Sequence, residues 1–166
     1  MITLYGIEWS RAKYVLFTLA ELGLDFQHVR INPFGEEKNA PEYLKLNPLA
    51  QVPTLVDGDL VLTEAMAINF YLSRKYGAGE LWADRLEDEA QIYKWSFFAL
   101  TQMETSCVEL ILHRKVLDEK DRSADIIQAA EKKLMKPLEV LNNRLAGKDF
   151  LVDGKFTVAD INMAGV

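Results

Sequence analysis

The 166 residues include one cysteine, Cys107, and only two histidines, His28 and His113. A single thiol excludes an internal disulfide and suits a reducing compartment, so the cytoplasm is the expected location. The histidines have no companion at metal-ligand spacing, which predicts no metal. No apolar run reaches the roughly 20 residues that a membrane-spanning helix needs. Met1-Ile2-Thr3 leads directly into a strand-like segment, without the layout of a signal peptide. Basic residues are outnumbered 25 to 19, and the net charge of −6 argues against nucleic acid or anionic membrane as the main partner. Glycine and proline are sparse, and neither repeats nor low-complexity tracts occur. What is present, 49% apolar and 27% charged residues, describes a globular protein of one ordinary domain or two small ones.

Strand and helix signals alternate in the first half. Ile2–Tyr5 reads as a buried strand. Ser10 precedes a helix carrying Ala12, Val15, Leu16, Leu19 and Leu22 at helical spacing, with Gly23 placed to end it. Phe26–Ile31 predicts a second strand, and Pro41–Leu46 a short helix stopped by Asn47-Pro48. Thr54–Val56 and Leu60–Leu62 predict a hairpin turning at Asp57-Gly58. Thr63 is then expected to cap a helix whose apolar face is Met66 or Ala67, Phe70 and Tyr71. That order is βαβαββα.

The second half reads as helix only, after a break at Gly77-Ala78-Gly79. Asp84 is expected to cap a long helix with Leu86, Ala90, Tyr93, Phe97 and Leu100 on one face. Arg114–Arg122 mixes charges of both signs, as a solvated connection does. Ser123 opens a helix with Ile127, Ala130, Leu134, Leu138, Leu141 and Leu145 on one side, and Pro137 is expected to kink it. Thr157-Val158-Ala159-Asp160 has the form of a capping box, flanked by Phe156 and Ile161 at staple positions. Its helix has hardly begun at Val166, so the chain is expected to be incomplete. The expected division is residues 1–76, a linker at 77–85, and a helical domain at 86–166.

Three places offer chemistry. A cis Val52-Pro53 bond would turn the amide and carbonyl of Val52 outward, where an extended peptide can pair with them as an added strand. A trans proline merely starting a strand also fits the dipeptide. Thr63-Glu64-Ala65 opens a helix whose free amides and dipole suit a carboxylate, while Glu64 suits an α-ammonium. An acid placed only to favour the dipole fits as well. Ser10 sits where a hydroxyl can donate to a thiolate, whose pKa falls from about 8.5 at helix N-termini. A plain N-cap serine is the simpler reading. Cys107 lies mid-helix and reads as a packing residue.

The βαβαββα order, Asn47-Pro48-x-x-Gln51-Val52-Pro53, Thr63-Glu64 with Ala67-Ile68, and Phe156–Asp160 together resemble the cytosolic glutathione transferase superfamily. The resemblance covers essentially the whole chain. It implies a thioredoxin-like α/β domain followed by an all-α domain lacking its final helices. By that resemblance Val52 pairs with the cysteinyl backbone of glutathione beside cis Pro53. Glu64 and the Ala65 amide hold its γ-glutamyl end, and Gln51 and Lys38 face its glycyl carboxylate. Ser10 matches the thiol-activating position of serine-type members, and Ser10-Arg11 is closest to bacterial and fungal ones. Glu36-Glu37-Lys38 before Pro41-Glu42-Tyr43-Leu44 resembles the plant phi-like pattern with one extra residue. Trp9, Phe98 and Gln102 would line a pocket for a hydrophobic electrophile between the domains. A homodimer would form across Ala67, Tyr71, Glu89, Ile92 and Tyr93. Glutathione is the implied co-substrate, with no metal.

Ala65 departs from the family, which places serine there. The missing hydroxyl removes a hydrogen bond to a charged group, worth about 1.5–3 kcal/mol. The expected activity is conjugation of glutathione to an electrophile in detoxification. The alternatives are glutathione-dependent disulfide reduction on the same scaffold and a non-catalytic interaction module.

Overall fold

The computed structural model describes residues 1–152 and 154–166. They divide into two compact units, Met1–Asp84 and Arg85–Ala164.

The first unit is built on β1 (Ile2–Tyr5), β2 (Phe26–Val29), β3 (Thr54–Asp57) and β4 (Leu60–Thr63). They form one sheet in the order β2-β1-β3-β4. β1 runs parallel to β2 and antiparallel to β3, which pairs antiparallel with β4. The parallel pair is linked by α1 (Ala12–Glu21), as a parallel crossover requires. Helices α2 (Pro41–Leu46) and α3 (Ala65–Tyr76) complete the unit. α1 and α3 pack together, and Leu4, Val15, Leu19, Leu55, Ile68 and Leu72 are fully buried. Each such side chain contributes about 1.5–3 kcal/mol.

Four local expectations shift. β2 stops at Val29, although Ile31 beyond it is buried. The hairpin loop is Gly58-Asp59, one residue later than expected, because Asp57 pairs with Leu60. Gly58 takes φ +61° and Asp59 a negative φ, the signs of a type II′ turn. Thr63 finishes β4 and does not cap α3; that position belongs to Glu64. The buried face of α3 is Ala65, Ile68, Asn69 and Leu72 with Met66 and Ser73, while Phe70 and Tyr71 are half-buried. Beyond α3, Leu81, Trp82 and Ala83 are buried, and Trp82 meets Phe70 edge-on at 5.9 Å. Leu81, Trp82 and Ala83 thus pack with the first unit.

The second unit opens with α4 (Leu86–Phe98). The run continues through a wide π turn (Ala99–Glu104), α5 (Thr105–Ile111) and a second π turn (Leu112–Val116). Arg85, not Asp84, holds the N-cap. The expected apolar face of α4 is also wrong: Leu86 is 78% exposed and Phe97 50%. Ile92, Trp95, Ser96, Ala99 and Met103 are buried instead, and Ser96 accepts a buried hydrogen bond from Asn162 at 2.9 Å. A serine and an alanine in this stripe hide it from a search for large apolar residues.

α6 (Ala124–Leu145) starts at Ser123, whose hydroxyl accepts from the Ile126 amide, and continues through Pro137. Ala130 and Leu134 are its buried residues, while Leu138 is 45% exposed. α7 (Val158–Gly165) carries the expected capping box. Asp160 Oδ2 accepts from the Thr157 amide at 2.9 Å, and Oδ1 from the Leu151 amide at 2.9 Å. Among the described residues no helix is long and apolar enough to cross a membrane.

Candidate functional site: a cis-proline cleft beside a helix N-terminus

Val52-Pro53 is cis. Among the described residues Val52 has no hydrogen-bond partner for its amide or its carbonyl, and the ladder of β3 begins only at Thr54. A cleft on the first unit is lined by Gln51, Val52, Pro53, Thr63, Glu64 and Ala65, together with Arg11, Asn47 and Leu49. It therefore offers an unused backbone donor and acceptor to an extended peptide.

Three side chains hold this loop. The Tyr43 hydroxyl donates to the Gln51 carbonyl at 2.5 Å, and Asn47 Nδ2 donates to the same oxygen at 2.8 Å. Thr54 Oγ1 lies 3.0 Å from the Tyr43 hydroxyl and 3.4 Å from Asn47 Nδ2. Asn47 Oδ1 accepts from the Leu49 amide at 3.1 Å. Tyr43, Asn47 and Thr54 are buried, and burial pushes the Tyr43 pKa up, so its hydroxyl stays a donor. The consequence reaches Val52 through the planar peptide group. The Gln51 carbonyl and the Val52 N–H belong to one trans unit and point in opposite directions. Clamping the oxygen inward turns the N–H away from the clamp.

Across the cleft, Glu64 has φ +70° and ψ 111°, rare for a side-chain-bearing residue and costing about 1–3 kcal/mol. This bend turns β4 sharply into α3. The Glu64 side chain stays exposed at the helix start, and the Ala65 N–H has no partner among the described residues. Ala65 itself is 5% exposed and brings only a methyl group to the cleft wall.

Ser10 lies between β1 and α1. Its hydroxyl donates to the Ile7 carbonyl at 2.7 Å and accepts from the Ala12 amide at 3.1 Å. Arg11, not Ser10, is the N-cap of α1; Ser10 stands just before it, tied to the Ala12 amide and with its proton already directed at a carbonyl. Gly6 brings it close to the proline loop. A Cβ at Gly6 would stand 3.7 Å from Ser10 Oγ and 3.4 Å from Val52 Cβ, and would collide with Ala12 Cβ at 2.7 Å. The Gly6 carbonyl accepts from His28 Nε2 at 2.9 Å, and the His113 ring accepts from the Ser123 amide at 3.1 Å. Both histidines thus have structural partners.

The other expected residues are dispersed. Lys38 donates to the Pro33 carbonyl at 2.6 Å and is not part of the cleft wall. Trp9 is 90% exposed. Phe98 and Gln102 share a groove within the second unit. Ala67, Tyr71, Glu89 and Tyr93 retain exposed area, but Ile92 is fully buried and has no surface to give a partner. Tyr43 and Thr54, which sequence reasoning missed as site residues, show themselves only through the fold. Asn47 was visible as a helix stop and as the start of the Asn47-Pro48-x-x-Gln51-Val52-Pro53 motif, but not as a side chain holding the Gln51 carbonyl. Among the described residues no group of three or more His, Cys, Asp or Glu side chains is gathered as a metal site requires.

Comparison with known proteins agrees with this geometry. Residues 1–74 match the model of the glutathione S-transferase N-terminal domain, and residues 81–166 that of the C-terminal domain. The chain belongs to the glutathione S-transferase family. It is 33% identical to glutathione S-transferase 3 of Zea mays over 168 residues, covering 98% of this chain and 75% of that protein. Glutathione S-transferase F10 of Arabidopsis thaliana is 28% identical, covering 97% and 77%. Among solved structures, the theta class enzyme of Xanthomonas axonopodis pv. citri, with glutathione bound, superposes at a TM-score of 0.90. Its identity is 28%, over 98% of this chain and 78% of that one.

Proposed function

We propose that this protein conjugates the thiolate of glutathione to an electrophilic small molecule. The observation that carries the reading is the pair of unused backbone groups on Val52, presented by a cis proline and a clamped Gln51 carbonyl. They fit the cysteinyl backbone of the tripeptide. The partnerless Ala65 amide at the start of α3 suits the γ-glutamyl carboxylate, and Glu64 its ammonium. Gln51, on the cleft wall, suits the glycyl carboxylate as a neutral amide donor, with the Lys38 ammonium as a second partner if its bond to Pro33 is exchanged.

Ser10 is the proposed thiol-activating group. Its rotation away from the Ile7 carbonyl would free the proton for the sulfur and leave the Ala12 amide at the same helix end. A hydrogen bond and a positive helix end both favour thiolate over thiol. Acceptor contacts are proposed for Trp9, Phe98 and Gln102. A homodimer is proposed through Ala67, Tyr71, Glu89 and Tyr93. The glutathione-binding portion is taken as residues 1–76 and the helical portion as residues 86–166, joined in sequence by 77–85. The cytoplasm is the proposed compartment, supported by the single cysteine.

One observation favours a second reading, a non-catalytic binding module. The Ser10 proton is directed at Ile7, and position 65 lacks a hydroxyl. Retention on immobilised glutathione tests binding, and the transferase reading fails if wild-type protein is not retained. Turnover of 1-chloro-2,4-dinitrobenzene by wild type but not by Ser10→Ala supports the transferase. Reduction of a glutathione mixed disulfide in place of conjugation would replace it with an oxidoreductase.

A further inference from the structure

Among the described residues only Ala50 and Glu64 carry a side chain and yet take a positive φ, and both stand at the cis-proline cleft. Glu64, at +70°, bends β4 into α3. Ala50, at +51°, immediately precedes Gln51 and Val52, which line the cleft. The left-handed region is narrow for an L-residue, because Cβ crowds the following carbonyl oxygen. Glycine escapes that conflict, and the short polar side chain of asparagine eases it. Alanine has neither relief.

The backbone is gripped on both sides of Ala50 by one residue. The Asn47 carbonyl accepts from the Ala50 amide at 3.0 Å, and Asn47 Oδ1 accepts from the Leu49 amide at 3.1 Å. Beyond Ala50, Asn47 Nδ2 donates to the Gln51 carbonyl at 2.8 Å. Held in this bracket, an alanine has little freedom, since a small turn of φ or ψ takes it out of its narrow well. A glycine in the same bracket could swing widely. Strained residues persist where their surroundings over-determine them, and they gather at ligand clamps. A second such residue beside the ligand-facing loop therefore points to use in binding.

We propose that Ala50 is a positioning residue for glutathione. Its Cβ narrows the motion of the turn that carries Gln51 and Val52, so that both meet the peptide already set, at a cost in stability. Ordering done before the ligand arrives is not charged against its affinity. The proposal rests on the reading of the cleft as a glutathione site.

Ala50→Gly separates strain from positioning, because the two move in opposite directions. Relief of the positive φ should raise the urea unfolding midpoint. The freed turn should weaken glutathione about threefold in calorimetric titration, as when one more side chain must be ordered on binding. Ala50→Asn is the conservative rescue, since it keeps a Cβ on a residue that tolerates this conformation. Its midpoint should also rise, while its glutathione affinity stays at the wild-type level. A glycine variant that binds as tightly as wild type overturns the proposal, and so does one whose midpoint does not rise. Equal losses of affinity in both variants also overturn it, because the contacts of the methyl group would then set the effect. Absence of binding by wild type would remove the glutathione reading and this inference together, whereas binding by wild type with no loss in Ala50→Gly removes this inference alone.

Discussion

Removing the Tyr43 hydroxyl tests whether the Gln51 clamp positions Val52. In Tyr43→Phe the ring stays, including its 5.7 Å contact with Tyr5, and only the oxygen is lost. The Gln51 carbonyl keeps Asn47 Nδ2 at 2.8 Å, and Thr54 Oγ1 keeps the same amide at 3.4 Å. The buried Thr54 hydroxyl, whose proton faces the Tyr43 oxygen, loses that acceptor, so the cost should be that of one to two hydrogen bonds, about 1–2 kcal/mol. Asn47→Ala removes the other donor and the acceptor of the Leu49 amide, for about 2 kcal/mol. The double variant differs in kind, because the Gln51 carbonyl then has no donor. Both bonds to that carbonyl are partly buried and Gln51 itself is exposed, so leaving it unpaired adds about 1 kcal/mol, and the double variant should lose about 4 kcal/mol. Urea unfolding of the four proteins measures the cycle, and calorimetric titration with glutathione measures its functional side. Affinity should fall further in the double variant than the two single losses combined, because the Val52 N–H swings with the freed peptide plane. Stability losses that add to within about 0.3 kcal/mol would refute the shared clamp. Unchanged glutathione affinity in the double variant would refute its link to Val52.

Three further predictions are independent of the clamp. Ala65→Ser supplies a hydroxyl at the start of α3 and should tighten glutathione binding about tenfold, as an added hydrogen bond to a charged group does; equal affinities would show that the carboxylate does not lie there. Ser10→Ala should cost about 1 kcal/mol through its lost bond to the Ala12 amide and should raise the pKa of bound glutathione, read from thiolate absorbance against pH; an unmoved pKa would leave Ser10 a structural residue alone. Asp57 Oδ2 accepts from Lys75, Tyr71 and Tyr76, each at 2.7 Å, and the Lys75 bond leads in holding its pKa at about 2. The folded value lies below the ordinary one, so its stabilisation is complete above about pH 4 and lost as pH falls toward 2. Asp57→Asn should destabilise by about 1–2 kcal/mol at pH 7, discounted because Lys75 is 45% exposed, and the gap should close near pH 2. A gap independent of pH would mean that shape, not charge, sets the effect.

The residues that sequence reasoning read well act on near neighbours in the chain. Gly23 ends α1 with φ +59°, Ser123 caps α6 within one turn, and Thr157 and Asp160 close their box across three residues. Such signals depend on a few consecutive dihedrals and survive almost any tertiary context. The errors fall where spacing allows two answers. On α4 both Leu86-Ala90-Tyr93-Phe97 and Ile92-Trp95-Ala99-Met103 have helical periodicity, and only packing against the rest of the unit buries the second. At the hairpin, Asp57-Gly58 and Gly58-Asp59 both offer a turn glycine, and the register of β3 on β4 selects the later pair.

The cleft divides along the same line. Pro53 and Glu64 are candidates by residue type, although a proline that merely starts a strand and an acid that merely favours the dipole fit the same residues. What makes them work together is not written beside them. The donors that orient the Val52 N–H come from Tyr43 in α2 and Asn47 just after it, acting on a carbonyl one residue before Val52. Sequence reasoning treated Asn47-Pro48 as a helix stop, which it is, because Asn47 takes φ −138° and leaves the helix there. The same departure turns its amide side chain onto the Gln51 carbonyl. One asparagine therefore ends α2 and holds the ligand-facing loop, and a replacement that ends the helix equally well would still release Val52. Asn47→Gly distinguishes the two roles: far-ultraviolet circular dichroism should hold at wild-type level while glutathione affinity falls. If affinity holds as well, Tyr43 alone is sufficient to set the loop.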